Sequence, residues 1–460
     1  MGRLFASLTV VLLFLPSVVL GQDIPLSRLL SGSVAAAAQI ARPLSGQTAT
    51  AQGDTTGHFS ATALRLAAPV ELDGALALQM TTFPTAFAWG APRTDATPGA
   101  EPRVRGTGAS LVELPSTLGK GRFAWSFADE IIEFGRVDGV DLRSGSVTVH
   151  VAHDDCCQPL GATPAPEFER DLLEEKLALD VDRRTYAFYG SFGVTDRLDI
   201  GLMLPVVTVS LHSRVTSRIL RTATAAFPDL HAFDDLGLAN HTTYYGQSAS
   251  GVGDIVVKGK YRLKGDGGGD GLALSFGAYL PTGDADKLLG AGAFRGDVSL
   301  LWSARSGSFS PRANVGYTLA AGSGAEALGT PLAAGGAVAS SRALPDVLHL
   351  LGGVDWAAHR RVHFSADVMG RRLSGLTRFT LESVTFPSRG PGTAPTASYV
   401  GANNLTAAPD GGSFLQALGV VGARVLLGPR LLCNVDVLLP LNDAGVMPRV
   451  GAVVGFSWTF

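Results

Sequence analysis

The sequence predicts a single all-β, antiparallel transmembrane β-barrel of about 14 strands, in a range of roughly 12 to 16, that follows a cleaved signal peptide. Three observations support this fold class. Segments long enough to cross a bilayer alternate apolar with polar residues, and the last of them ends the chain on an aromatic residue. The N-terminus also has the pattern of a secretory signal.

Residues 450–460 form the clearest of these strands. Apolar side chains take every second position, and mostly small or polar side chains take the others. A soluble sheet has no need of a terminal aromatic, and this ending resembles the C-terminal signal of bacterial outer-membrane barrels. The resemblance implies outer-membrane lipid and the barrel-assembly machinery as partners. The residues of the implied assembly signal are Phe456, Trp458 and Phe460.

Composition fits one large barrel. Of the 460 residues, 46% are hydrophobic and 17% are charged, and ordinary globular domains hold roughly 25% charged residues. The net charge of −3 gives no basis for a nucleic-acid partner. The three cysteines allow at most one internal pair, so the chain is not a disulfide scaffold.

The chain before the predicted barrel, which we place at 59–460, divides into two parts. Residues 1–21 carry Arg3, an apolar run and a small residue at Gly21, as a signal peptide does. No later apolar run is long enough for a helical span, so the exported chain would cross a membrane as strands. Residues 22–58 are rich in small and polar residues. They form either a loose periplasmic tail, the preferred interpretation, or a small plug in the barrel, as in fatty-acid channels.

Strand candidates begin at Ala75–Phe83 and continue with Thr107–Leu114 and Gly121–Gly135. The phase of the alternation slips at Pro205, which predicts a β-bulge there. Short turns alternate with long, irregular loops, and this alternation is typical of membrane barrels. The segments interpreted as long loops are 137–170, 212–250, 321–345 and 374–412.

The placement of charge separates a membrane barrel from a soluble β-sandwich. Leu and aromatic residues keep to one face of the strands, while Lys, Arg, Asp and His occupy the other. In lipid the apolar face points outward and the charged face lines the lumen. The predicted lumen-lining residues are Lys258, Lys260, Arg262, Asp297, Arg312, His349, Asp355, His363, Asp367 and Asp436.

Lys258, Lys260 and Arg262 belong to a basic row that continues to Lys264 at every second position. Such rows select anions in some pores. The alternative is that these cations pair with the predicted lumen aspartates or meet water and lipid headgroups. The near-zero net charge favours this alternative.

Three segments resemble one family, the outer-membrane transporters named for the meta-cleavage pathway of phenol degradation. They are Tyr189–Gly201, Gly251–Ile255 and Leu280–Asp284, and the resemblance extends from about residue 75 to the end. These are turn and strand patterns, which specify the fold and leave the substrate open. The resemblance implies transport of small, often aromatic, molecules and assigns no binding residues.

Residues 150–157 concentrate His, Asp and Cys side chains, which are metal-ligand types. Adjacent ligands rarely satisfy one tetrahedral ion, and disulfide formation competes in an oxidising envelope. We therefore predict no metal site. We also predict no cofactor and no catalytic residue, because the nucleophile-elbow, zinc-protease, phosphate-loop and dinucleotide motifs are missing from the sequence.

The expected function is passive uptake of small hydrophobic or aromatic molecules through a channel in a Gram-negative-type outer membrane, without enzymatic activity. The competing hypothesis is a structural barrel with a filled lumen, whose loops 212–250 and 374–412 bind a partner. A barrel of about 14 strands can be open or plugged, so the strand number does not decide between them. The contents of the lumen would discriminate.

Overall fold

The computed structural model describes residues 25–43, 59, 67–85, 87–88, 109–152, 171–220, 231–265, 270–321, 344–389, 395–408, 412–428 and 430–460. The predicted signal peptide and the segment 44–58 lie outside these residues.

Within the described ranges the chain forms a 3-10 turn, α-helices and many β-strands. The helical part comprises the turn Leu26–Arg28, α1 (Leu29–Ile40) and α2 (Ala67–Thr81). No helix in the described ranges has the length and apolarity needed to cross a membrane. The strands are β1 (Arg42–Pro43), β2 (Phe87–Ala88), β3 (Ala109–Ser110), β4 (Phe123–Val137), β5 (Val140–Asp141), β6 (Val147–Ala152), β7 (Leu172–Gly193), β8 (Leu198–Leu220), β9 (His231–Ala232), β10 (Asn240–Val252), β11 (Ile255–Lys264), β12 (Gly271–Leu280), β13 (Phe294–Ser303), β14 (Phe309–Ala321), β15 (Val347–His359), β16 (Val362–Leu373), β17 (Arg378–Arg389), β18 (Pro395–Ala408), β19 (Phe414–Leu426), β20 (Leu431–Pro440) and β21 (Val446–Thr459).

A ring of 12 antiparallel strands closes into a barrel. The order around the ring is β4, β7, β8, β11, β12, β13, β14, β15, β16, β19, β20 and β21, and β21 pairs back with β4. The closed antiparallel barrel confirms the predicted fold class. The ring has 12 strands where the central prediction was about 14, and 5 further strands of the same sheet lie outside the ring.

The two ends of the barrel differ. At the end termed the short-turn end, tight turns join the ring strands and Phe460 ends the chain. The other end, termed the long-loop end, carries the extra strands β5, β6, β10, β17 and β18, which pair with one another or extend the wall. The interpretation of 137–170, 212–250 and 374–412 as irregular loops is therefore wrong for the parts that these strands occupy.

The wall is apolar outside and polar inside. The outward side chains of Ile200, Leu300 and Val421 are 48%, 44% and 51% exposed, while the inward Lys260 and Arg312 are 0% and 2% exposed. A soluble sheet has the opposite arrangement. Since all ring strands are paired and the outer surface is apolar, the barrel is suited to span a lipid bilayer.

Aromatic side chains form a belt at the short-turn end. The rings of Phe123 and Phe460 lie 6.0 Å apart, and Trp356 lies 6.5 Å from Phe309 and 5.8 Å from Phe364. Aromatic girdles of this kind mark the interface between lipid and water. The belt therefore places the membrane surface close to this end of the barrel.

Deleting Phe460, or replacing Trp458 and Phe460 together with Ser, is expected to leave little folded barrel in the membrane. The N–H of Phe460 donates to the carbonyl of Phe123 at 3.0 Å, so the residue completes the junction between the last strand and the first. Heat-modifiable migration of the membrane fraction on a gel measures the folded amount. Thr459→Ser is the control, and normal folded levels of either aromatic variant would refute the assembly role.

The apolar residues of β8 change from the outer face to the inner face at Pro205, although the strand has no bulge. β7 and β8 keep one register along their whole length. On the short-turn side of Pro205 the Leu and Ile residues of 198–204 face outward, and beyond it the Val and Leu residues of 207–211 face inward and are buried. The predicted bulge is wrong. The physical reason is that the strand leaves the lipid here, so its outer face meets water and its inner face packs against α1.

The first strand candidates also need correction. Ala75–Phe83 belongs mostly to α2, whose Ala, Leu, Gln and Met residues favour a helix. Within Thr107–Leu114 the structure describes a strand at Ala109–Ser110, and the following residues run through the lumen. Gly121–Gly135 corresponds to β4, the first strand of the ring.

Candidate functional site in the barrel lumen

N-terminal residues occupy the lumen at the long-loop end. Residues 25–43 and 67–85, termed the plug, contain α1 and α2. Asp73 of α2 caps the first turn of α1, because it accepts hydrogen bonds from the N–H groups of Leu30 at 3.2 Å and Ser31 at 2.9 Å. The hydroxyl of Ser33 on α1 lies 3.2 Å from that of Ser213 on β8. The plug is thus packed within itself and against the wall.

Two arginines from separate parts of the wall hold the end of α2. Arg183 of β7 donates to the carbonyl of Met80 at 2.8 Å, and Arg371 of β16 donates to the carbonyl of Thr82 at 2.9 Å. The C-terminal carbonyls of a helix carry partial negative charge, which favours cations there. Gln79 adds a third contact, since its side-chain oxygen accepts the N–H at the start of β21 at 2.8 Å.

Residues 111–122, termed the lumenal segment, lead along the inner wall from the plug to the short-turn end, where β4 begins. The carboxylate of Glu113 pairs with Lys258, and Lys260 donates to the carbonyl of Leu114 at 3.0 Å. Nearer the short-turn end, the N–H of Leu118 donates to a carboxylate of β8 at 2.8 Å. These contacts occupy the inner wall of β8 and β11.

The basic row therefore meets N-terminal residues and turn carbonyls, and the predicted aspartates take a smaller part. Arg262 lies near the short-turn end and donates to the carbonyl of Asp196 at 2.8 Å. Asp297 lies beside Lys258 across Gly277, where any Cβ would overlap the Asp297 carboxylate. The row thus holds the lumenal segment against the wall.

Four of the predicted lumen residues come together with Arg424 in one buried cluster. Arg312 donates to Asp355 at 2.7 Å and to both oxygens of Asp367 at 2.7 Å and 3.0 Å. Arg424 pairs with the other oxygen of Asp355, and Asp436 lies buried beside this group on β20. The cluster spans β14, β15, β16, β19 and β20. It joins five strands of the wall through charged side chains.

The two predicted lumen histidines lie on neighbouring strands. His349 of β15 lies 2.8 Å from the hydroxyl of Thr318 and borders the cavity described next. His363 is half-buried on β16, near the short-turn end. The structure therefore separates them along the barrel axis.

A cavity of about 140 Å³ lies between the plug, the lumenal segment and the wall. Its lining combines apolar side chains with charged ones. The apolar part includes Phe83, Leu111 and Met369, and the charged part includes Glu113, Lys258 and Arg295.

The prediction from sequence missed two arginines that hold the plug and one that belongs to the charged cluster of the wall. Arg183 and Arg371 contact the plug, Arg424 pairs with Asp355, and all three share the inward face with the predicted residues, so the alternation of their strands carried the signal. Glu113 had no such signal because its segment was interpreted as a strand of the wall. Its charge becomes informative when the segment is known to lie inside the barrel.

His150, from the His, Asp and Cys cluster at 150–157, lies on β6 and faces Asn404, with its Nδ1 3.0 Å from the amide oxygen. Its Nε2 lies 3.6 Å from Glu174. Residues 153–157 lie outside the described residues. The described part of the chain contains no group of three or more His, Cys, Asp or Glu side chains suited to a metal ion.

Raising the pH is expected to weaken the plug through Asp73. Burial raises the pKa of this carboxyl to about 7, although hydrogen bonds from Ser31 and Leu30 lower it in part. The folded plug therefore binds a proton more tightly than the unfolded chain. The stability that this proton contributes is fully present below the ordinary carboxyl pKa and is lost as the pH rises through 7.

For wild type we expect a loss of about 2 kcal/mol between pH 5 and 8. Asp73→Asn should remove most of this loss and Asp73→Glu should retain it. Thermal unfolding of the detergent-solubilised barrel across this range is the measurement. Equal pH slopes in wild type and Asp73→Asn would contradict the assignment.

The family comparison concerns the middle of the chain. Residues 176–335 match the model of the family described as the MetA-pathway of phenol degradation. This confirms the family resemblance predicted from the sequence, and all three resembling segments fall within the matched residues. No relative of the chain was found among curated proteins.

The segments shared with the phenol-degradation family shape turns at both ends of the barrel. Asp254 accepts hydrogen bonds from the N–H groups of Gly283 at 3.2 Å and Ala291 at 2.9 Å. Thr282 donates to the carbonyl of Gly253 at 2.7 Å. Two of the segments therefore bond to each other and set the path of loop 281–293, which borders the cavity.

Solved structures with some likeness include an outer-membrane channel from Pseudomonas putida F1, with 12% identity, a TM-score of 0.38 and coverage of 75% of this chain and 97% of that one. A FadL homologue from Pseudomonas aeruginosa has 10% identity, a TM-score of 0.33 and coverage of 82% and 98%. The toluene transporter TodX of Pseudomonas putida has 10% identity, a TM-score of 0.34 and coverage of 77% and 94%. At these TM-scores the likeness supports no inference about this chain.

Proposed function

We propose that the protein is an outer-membrane channel for passive uptake of small hydrophobic or aromatic molecules, and that the plug closes it in the conformation described above. The cavity carries the proposal. Its volume of about 140 Å³ is close to that of apolar cavities that hold benzene, roughly 150 Å³. The family match adds support, since the family is described by a pathway that degrades an aromatic compound.

The proposed orientation of the barrel in the membrane rests on the lengths of the connections between its strands. Outer-membrane barrels have short periplasmic turns and longer extracellular loops. In this proposal the short-turn end faces the periplasm and the long-loop end faces the outside. A solute arriving from outside meets the plug first, then the cavity, and then the lumenal segment.

Closure by the plug is reversible in this proposal, because polar contacts hold the end of α2 to the wall. The arginines bind carbonyl oxygens of the plug backbone, and water can replace such acceptors. Movement of α1 and α2 would open the cavity toward the outside, while the lumenal segment stays bound to β11.

The test is accumulation of a radiolabelled aromatic solute by Gram-negative cells, whose outer leaflet slows such molecules. Cells that produce wild type should accumulate the solute faster than cells without the protein. A variant lacking residues 25–85 should accumulate it faster still, provided gel migration shows that the barrel has folded. Accumulation at the background rate for both proteins would overturn the channel proposal.

The second candidate function is a structural or partner-binding barrel. The filled lumen favours it, as do the extra strands that extend the wall at the long-loop end. This candidate predicts background accumulation for wild type and for the plug deletion alike. The same experiment therefore discriminates between the two functions.

A further inference from the structure

The apolar outer wall is interrupted on one side of the barrel, on β4 and β7. A strand tilted by about 40° rises by about 2.6 Å per residue along the barrel axis, so an apolar band about 25 Å tall spans about ten residues. On three strands the outward side chains are apolar, aromatic or small over that length, which runs from Phe460 to Val450 at β21, from Phe309 to Leu319 on β14 and from Val425 to Leu415 on β19. These strands mark the depth that lipid covers.

The interruption begins at Asp129, which follows Phe127 as the next outward residue of β4. Asp129 lies about 16 Å above the aromatic belt at Phe123, within the depth that lipid covers elsewhere. The register supports this level, because Asp129 is opposite Val454 of β21, and the apolar outward residues of β21 continue to Val450. An ionised carboxylate at this depth is costly when it meets hydrocarbon.

Arg184 of β7 also faces outward and neutralises this carboxylate. Its guanidinium donates two hydrogen bonds to Asp129, at 2.9 Å and 2.7 Å. The guanidinium lies 4.8 Å from the centre of the Tyr186 ring, which stacks on Phe127 at 6.2 Å. We term Phe127, Asp129, Arg184 and Tyr186 the β4–β7 patch. The side chains of Arg184 and Asp129 are still 46% and 24% exposed, so the described part of the chain leaves the pair open on its outer side.

The charges above the β4–β7 patch lie near the outer edge of the apolar band. Glu133 is opposite Val450, and Asp182 is opposite Glu133. Arg143 lies 3.6 Å from Glu133 and also pairs with Asp180. Water reaches groups at this level, whereas it reaches the patch only where the bilayer becomes thinner. The patch is therefore the part of this face that needs a partner.

Membrane geometry limits which partner fits. Copies of one outer-membrane barrel share one orientation, so the axis that relates them is parallel to the membrane normal and each residue keeps its depth. A two-fold axis in front of the patch places β4 of one copy opposite β7 of the other. Asp129 then meets the second copy's Arg184, and Arg184 meets its Asp129. The patch is thus complementary to itself.

A ring of three or more copies fits less well. In such a ring the patch would meet a different surface of its neighbour. At this depth the outward faces of β8, β11 to β15 and β19 to β21 carry no charged side chain in the described part of the chain. None of these faces could complement the charges of the patch, so the observations favour the two-fold arrangement.

We propose that the β4–β7 patch is the interface of a two-fold symmetric dimer in the outer membrane. Each carboxylate of Asp129 contacts a guanidinium of both copies, and the rings of Phe127 and Tyr186 pack around the charges. Arginine and aromatic residues are enriched at the centres of protein interfaces. Each barrel keeps its own lumen in this dimer, so the inference does not depend on the proposed channel function.

The first experiment measures energy transfer between donor-labelled and acceptor-labelled full-length barrels in lipid vesicles as the protein is diluted with lipid. Wild type should show transfer that fits two copies per complex. Asp129→Leu/Arg184→Leu should weaken the association by at least about tenfold, because it removes charge-assisted hydrogen bonds from the interface. The double variant should remain folded on gel migration, because it removes charge from the lipid-facing surface.

The matched control is Arg136→Leu/Asp443→Leu. This pair joins the same residue types at 3.0 Å with side chains 45% and 53% exposed, and it lies at the long-loop end beyond the apolar band. The association should stay within about twofold of wild type, since a water-exposed pair contributes little.

The second experiment exchanges the two charges. Asp129→Arg/Arg184→Asp keeps the pair within one copy and remains complementary to itself, so this variant should associate with itself. Mixed with wild type, it presents like charges at both contacts across the axis. Energy transfer between wild type and the exchanged variant should therefore fall to the level of an unrelated monomeric barrel at the same density. If a variant does not fold on gel migration, Asp129→Asn/Arg184→Gln replaces it, and it too should weaken association with wild type.

Three results would overturn the dimer interface. The first is transfer by wild type no higher than that of the unrelated barrel, which would mean that a locally thin bilayer hydrates the patch. The second is unchanged association of the Leu double variant, which would place the contact elsewhere on the barrel. The third is free mixing of wild type with the exchanged variant.

Discussion

Replacing Arg312 with Met is expected to destabilise the barrel by about 3 to 5 kcal/mol, because the substitution leaves a buried carboxylate without its cation. Arg312 makes two hydrogen bonds to Asp367 at 2.7 Å and 3.0 Å and one to Asp355 at 2.7 Å. Asp355 keeps Arg424 as a partner, while Asp367 loses the bidentate contact. Denaturant unfolding of the barrel in lipid vesicles measures the loss.

The double variant Arg312→Met/Asp367→Leu tests whether the loss of stability comes from the unpaired carboxylate of Asp367. Removing both partners replaces an ion pair with apolar groups, which is often nearly neutral. The double variant should therefore be more stable than Arg312→Met alone. Arg312→Lys, which keeps the charge and loses the bidentate geometry, should fall between wild type and Arg312→Met. A loss of less than about 1 kcal/mol in Arg312→Met would show that water already screens the cluster.

Joining the plug to the wall with a disulfide is expected to stop solute uptake. The hydroxyl oxygens of Ser33 and Ser213 are 3.2 Å apart, so cysteines at these positions need a small approach to form a bond. Oxidised Ser33→Cys/Ser213→Cys cells should accumulate the labelled aromatic at the background rate. Adding a membrane-permeant reductant should restore the wild-type rate.

Each single cysteine variant serves as a control for side effects of the substitution and for the native cysteines. Both singles should transport normally with and without oxidant. If the oxidised double variant accumulates solute at the wild-type rate, α1 does not need to move for passage. The plug would then lose its proposed role as the moving part, although the barrel could still be a channel.

The sequence was sufficient for the features that depend on local periodicity. Alternation along single strands predicted the apolar outer wall and the polar inner wall, and in residues 450–460 it predicted the last strand of the ring. The same alternation placed Arg312, Asp355, Asp367 and Asp436 on inward faces. These features are local because successive side chains of a strand point to opposite faces. The sequence of one strand therefore shows which of its residues share a face.

The reversal at Pro205 shows where a local pattern becomes ambiguous. An apolar set that changes faces can mean a bulge, or it can mean that a regular strand passes from lipid into water. The sequence is the same in both cases. The register between β7 and β8 is unbroken, and α1 lies behind residues 207–211. These two observations show that a regular strand passes from lipid into water.

The partners of the lumen charges were decided by the tertiary structure. Lys258 alternates with apolar residues, so its inward position follows from the sequence. Its pairing with Glu113, 145 residues earlier, depends on how the chain enters the closed barrel. The same holds for Arg183 and Arg371, which donate to the backbone carbonyls of Met80 and Thr82 at the end of α2. The amino-acid sequence does not show which backbone carbonyls accept hydrogen bonds from side chains. The alternation along a strand shows which residues face the lumen, but it does not show which segment fills the lumen.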